Sequence, residues 1–168
     1  VASTDWSASS VLDTTVVAGQ TSPKSCKPVN GRVEVCNSKY GNNGWLGLAQ
    51  IWVSGDHITK GAVKLNDFYF NMPIYNTSAW RQFVVCQEIG HTFGLDHQDE
   101  NFDNPNLGTC MDYTRDPSTN QHPNAHDYEQ LEAIYAHLDS VTTAGQPLPN
   151  GNKADVNLDE PTEWGEAV

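Results

Sequence analysis

Cys86-Gln87-Glu88-Ile89-Gly90-His91-Thr92-Phe93-Gly94-Leu95-Asp96-His97-Gln98-Asp99 is the run that decides how this chain is read. Just before it, Asn76-Thr77-Ser78 offers a helix N-cap, and Trp80, Phe83, Val84, Gln87 and His91 recur at spacings of three and four. That spacing predicts a helix over 79–93, stopped at Gly94, a residue that readily takes the left-handed backbone of a helix end. On such a helix Gln87 and His91 lie one turn apart on one face, so both side chains can reach a single ion. A chain reversal at Gly94 can bring His97 back toward the same ion. Glu88, beside a candidate ligand, is placed to take a proton from a water that Zn²⁺ has acidified to a pKa of about 7.

Outward from this run, the composition narrows the function. The 168 residues carry 9 Lys+Arg against 21 Asp+Glu, a formal net charge of −12, with 38% apolar residues. That length suits a single domain with its own core. No apolar stretch approaches the roughly 20 residues needed to cross a bilayer. The acidic balance and scattered basic residues disfavour nucleic-acid binding. The four cysteines permit three pairings. Cys26 and Cys36 bracket a Pro/Asn/Gly-containing stretch that reads as a hairpin or turn closed by a local disulfide. Disulfides, with low Lys content, suit a secreted, extracellular protein. Trp6-Ser7-Ala8-Ser9-Ser10-Val11-Leu12 and Thr14-Thr15-Val16-Val17 favour β-structure, and 21–44 reads as loop. Strands are expected over 45–53 and 58–65, a long loop over 96–124, and a second helix over 126–138.

The central run resembles the metzincin metallopeptidases, whose pattern is H-E-x-x-H-x-x-G-x-x-H followed by a methionine turn. Glu88, His91, Gly94 and His97 match in identity and spacing, whereas Gln87 stands where the family has its first histidine. The downstream Thr109-Cys110-Met111-Asp112-Tyr113 resembles the methionine turn. The resemblance implies an α/β (α+β) zincin fold: a twisted, mostly parallel sheet with an antiparallel edge strand, an active-site helix and a C-terminal helix. It implies a catalytic domain over 1–145, leaving 146–168 as an acidic, Pro/Gly-rich tail or linker. Met111 would be an apolar floor beneath the ion, and Tyr113 a ligand or an oxyanion stabiliser. Leu48, Ala49, Gln50 and Ile51 would form the edge that pairs with substrate, and a Cys86–Cys110 bridge would tie the helix to the methionine turn. The function implied is that of a secreted zinc endopeptidase, a monomer acting on polypeptides, with Glu88 as general base.

Gln87 leaves three arrangements open. Its amide oxygen reaches about as far as an imidazole nitrogen but is a harder, weaker donor for zinc. Gln87 ligates Zn²⁺ with His91 and His97; or Asp99, His57 or Tyr113 fills the gap; or no metal binds and the chain is an inactive relative that keeps a peptide-binding groove. Weaker signals stand beside these. Asp96, Asp99, Glu100, Asp103, Asn104 and Asn106 cluster as oxygen donors, which makes Ca²⁺ a candidate second ion. Asp155, Asn157, Asp159, Glu163 and Glu166 match calcium-loop spacing, but Glu160 occupies the glycine position, so a chance match is expected. His57, His122, His126 and His137 read as surface or capping residues, and Trp45, Trp52 and Trp80 as core.

Overall fold

The computed structural model describes residues 1–137 and the backbone of 152–154. Its sheet is formed by β1 (Val33–Ser38), β2 (Gly47–Ser54) and β3 (His57–Asn66), in spatial order β1-β3-β2. A short β4 (Asn152–Ala154) pairs antiparallel with β2 on its other side, at Ile51, Trp52 and Val53. β2 and β3 are joined through Gly55 and Asp56, with Gly55 at φ +59°, and a connection this short permits only antiparallel pairing. β1 runs parallel to β3, Val35 opposite Val63. The fold is therefore mixed α/β with one parallel strand pair. The expectation of a mostly parallel sheet is corrected, because the β2–β3 hairpin sets the sense of its centre. The expected edge is narrower too, since β4 covers the far end of β2 from Ile51 onward.

Side chains alternate across this sheet. Gly47, Ala49 and Ile51 of β2 pair with Leu65, Val63 and Gly61 of β3. All of these are buried, on the face that carries the helices. The helices are α1 (Ala2–Trp6), α2 (Asp67–Phe70), α3 (Ser78–Thr92) and α4 (Ala125–Tyr135). Phe83, Val84 and Cys86 of α3 close the main core with Leu46, Ala49, Val63, Leu65, Met111 and Leu131. The extended start expected around Trp6 is instead α1. Trp6 is fully buried, and its indole N–H donates to the Cys86 carbonyl of α3 at 3.1 Å. Docking of one large aromatic overrides the local β preference of Trp6 and its neighbours.

The opposite face is covered by the loop preceding β1. Cys26 is disulfide-bonded to Cys36, with Cα atoms 5.9 Å apart, and both pack against Ala62 and Trp52. The local disulfide is present, and the stretch it closes turns at Asn30 and Gly31, with Gly31 at φ +75°. Of the two expected forms it is the turn and not the hairpin, because Cys36 lies on β1 and the bridge fastens a loop onto that strand. Glu34, buried beside it, is held by Arg32 at 3.0 Å and by the Gln20 backbone N–H. The second bridge joins Cys86 to Cys110. Two disulfides point to an oxidising compartment. Among the described residues no helix is long and apolar enough to cross a membrane. The calcium-loop spacing from Asp155 to Glu166, and the expected tail apart from β4, lie outside the described residues.

Candidate metal centre

Helix α3 begins at a Thr77 cap, whose hydroxyl accepts from the Trp80 N–H at 3.2 Å. It ends in a Schellman turn. Gly94, at φ +89°, donates to the His91 carbonyl at 3.0 Å, and Leu95 N–H reaches back to the Gly90 carbonyl at 3.3 Å. The same turn aims the Leu95 carbonyl at the His91 ring, 2.8 Å from Nδ1. Only a protonated Nδ1 can donate there, so the neutral ring keeps its free lone pair on Nε2. Burial pushes the His91 pKa down, which favours that neutral state.

Past the turn the chain doubles back and His97 meets His91. Their Nε2 atoms lie 2.9 Å apart, with the rings nearly perpendicular. Burial, and then the neighbouring His91, lower the His97 pKa to about 3, so this ring too is neutral near pH 7. Two imidazole nitrogens bound tetrahedrally to one zinc are separated by about 3.3 Å, close to the spacing seen here. On its outer side, His97 Nδ1 faces Glu100 at 3.6 Å and Asp96 at 3.9 Å. Carboxylates behind a histidine of this kind orient it and fix which nitrogen is free.

The segment 109–113 packs against this pair. Gln98 N–H donates to the Met111 carbonyl at 2.6 Å, and Tyr113 N–H to the Asp99 carbonyl at 3.0 Å, so the segment after His97 runs alongside 111–113. Met111 is fully buried beneath α3, and a Cβ on Gly90 would stand 2.6 Å from its Sδ. The Tyr113 ring tilts against His97 at 4.4 Å and stacks on Phe102 at 4.8 Å. Asp127, at the start of α4, anchors the ensemble. Its carboxylate accepts from Thr109 Oγ1 at 2.5 Å, from Gln98 Nε2 at 2.7 Å and from the Asn124 N–H at 2.8 Å. Thr109 Oγ1 in turn accepts from Met111 N–H at 3.0 Å. The Cys86–Cys110 bridge joins the residue before Gln87 to the residue before Met111.

Gln87 and Glu88 are both fully buried on α3. Among the described residues, neither Oε1 nor Nε2 of Gln87 has a hydrogen-bond partner. A buried amide with both ends unmet costs about 1–3 kcal/mol, and a bound cation would answer the oxygen. Two neutral imidazoles plus a carbonyl-type oxygen fit a borderline cation such as Zn²⁺. Of the proposed stand-ins for Gln87, Tyr113 touches His97, Asp99 accepts the Asn101 N–H at 2.6 Å, and His57 lies at the start of β3 beside His137.

Of the remaining candidates, Asp96 and Glu100 gather at His97, with ligand atoms within 4.8 Å of one another. His122 pairs with Asp5 at 3.0 Å and His126 lies exposed on α4, while His57 and His137 meet edge to face with ring centroids 6.2 Å apart. In the acidic loop, Asn101 accepts the Asp103 N–H, Asp103 meets Arg115 at 3.0 Å, and Asn106 bonds Asp116, Thr119 and Thr114. Those groups serve the loop's own backbone and side chains. On β2, Ala49 and Ile51 face the core, while Leu48 and Gln50 are half-buried on the other face. Sequence reasoning missed Trp6, Asp127 and the Leu95 carbonyl. Asp127 was findable, because Asn124-Ala125-His126-Asp127 spells a capping box, and both of its reciprocal bonds form. Compared with known proteins, the chain matches no protein-family model, no curated protein and no solved structure.

Proposed function

We propose that the protein is a secreted zinc-dependent endopeptidase of metzincin type. The observation that carries this reading is the buried His91–His97 pair, Nε2 to Nε2 at 2.9 Å, with the Gln87 amide, unpartnered among the described residues, one helical turn before it. Gln87, His91 and His97 would hold the ion. When bound, Zn²⁺ lowers the pKa of a water to about 7 and polarises the scissile carbonyl. Glu88 takes a proton from the attacking water and delivers it to the leaving amine, the work of a carboxylate kept out of bulk solvent. Tyr113, set against His97, donates a hydrogen bond from its phenolic O–H to the developing oxyanion. The substrate lies extended beside β2 at Leu48, Ala49 and Gln50, held by main-chain hydrogen bonds before β4 begins at Ile51.

The test is metal analysis of the purified chain together with casein digestion, with and without a chelator, on wild type and Glu88→Ala. Stoichiometric zinc, cleavage abolished by the chelator, and a folded, zinc-loaded but inactive Glu88→Ala support the reading. A folded chain that takes up no zinc and cleaves nothing overturns it in favour of a non-catalytic peptide-binding module.

A further inference from the structure

Gly47 opens β2 and pairs in regular register with Leu65, and its φ is not in the left-handed region. Neither pairing nor backbone conformation calls for glycine there, and glycine weakens a strand. The reason lies in space. A Cβ on Gly47 would overlap Glu88 Oε1 and stand 2.5 Å from Glu88 Cγ and 2.6 Å from Val84 Cγ1. Carbon atoms in contact sit about 3.5–4.0 Å apart, so a methyl group cannot coexist with either side chain as placed. Val84 and Glu88 are one turn apart on α3 and both fully buried, so neither can swing into solvent to make room.

We infer that Gly47 is a positioning residue for Glu88: by leaving out a side chain, it lets the carboxylate rest directly on the β2 backbone. This rests on the peptidase reading and deepens it. Glu88 is thereby held at the Gly47 end of β2, the end that β4 leaves uncovered, beside the segment proposed to receive substrate. Main-chain bonds to the strand fix where the substrate's peptide lies, and Gly47 fixes how closely the general base approaches that line. A displacement of about 1 Å at such a group costs on the order of 100-fold in turnover.

The experiment compares Gly47→Ala with wild type for zinc content, Tm, kcat and KM, and repeats Gly47→Ala in Val84→Ala and Glu88→Ala backgrounds for Tm. Expected are wild-type zinc content, KM within about twofold and kcat lowered about 100-fold. Overpacking should lower Tm by about 3–10 °C in the wild-type background, and by less than half of that where either neighbour is trimmed. A Tm loss unchanged by trimming overturns the contact. Coupled Tm values with kcat unchanged overturn the positioning role. A wild type that cleaves nothing fails the peptidase reading instead, and the Tm coupling, which needs no activity, tells the two failures apart.

Discussion

Asp127→Ala should be among the most damaging single changes outside the hydrophobic core. The carboxylate is buried and accepts from Thr109 Oγ1, Gln98 Nε2 and the Asn124 N–H. Each hydrogen bond to a charged acceptor contributes about 1.5–3 kcal/mol, and truncation leaves three donors without it. Because the bonds share one acceptor and water can enter part of the vacated space, the sum is less than additive, about 3–5 kcal/mol. In a chain of this length that lowers Tm by roughly 6–20 °C. Asp127→Asn keeps the shape and one accepting oxygen. With that oxygen at the Oδ2 position, shared by Thr109 Oγ1 and the Asn124 N–H, it leaves Gln98 Nε2 facing an amide N–H, for a loss of about 2 kcal/mol. Urea and thermal unfolding of the three proteins measure this directly. Zinc affinity should fall in the same order, because Gln98 follows His97 and Thr109 supports Met111. A loss below about 1 kcal/mol for Asp127→Ala would refute the view that this carboxylate anchors the site.

Gln87 carries a prediction of opposite signs. Gln87→Leu should stabilise the metal-free protein by about 1–3 kcal/mol, by removing a partnerless buried amide, while weakening zinc binding at least tenfold; Gln87→His should tighten binding. Unchanged affinity in both, by competition with a chromophoric chelator, would take Gln87 out of the ligand set. Replacing Cys86 and Cys110 together by Ser opens a loop with a sequence separation of 24, for a loss of about 3–4 kcal/mol in denaturant unfolding; a loss under about 1 kcal/mol would mean the bridge adds nothing to packing. Gly94→Ala forces a side chain onto φ +89°, costs about 1–2 kcal/mol and shifts the Leu95 carbonyl off His91. Lower zinc affinity alongside that loss is expected, and unaltered affinity would count against the carbonyl's role in setting the His91 tautomer.

Local signals were legible where the chain stated its own boundaries. Helix α3 was readable from Thr77, the three-four spacing and Gly94, and β2 and β3 as two separate strands over 45–53 and 58–65, though not their antiparallel pairing. The meeting of His91 and His97 followed from a reversal that glycine alone makes easy. What stayed hidden depends on distant partners. Val33, Val35 and Cys36 belong to a strand only because β3 lies beside them, amid residues that by themselves read as loop. Trp6 is helical because α3 offers a slot beneath Cys86 and Gly90. Nothing in the run 45–53 singles out Gly47, and the need for glycine there shows only once Glu88 is seen across from it. The parallel sense of the sheet was carried by the resemblance rather than by any residue, and there the expectation failed.

The most direct measurement is a crystal structure of the zinc-soaked protein with anomalous data on both sides of the zinc edge. A single strong peak between His91 Nε2 and His97 Nε2, with Gln87 Oε1 within about 2.2 Å of it, is expected. A Gln87 side chain turned away, with no peak between the two rings, would contradict it.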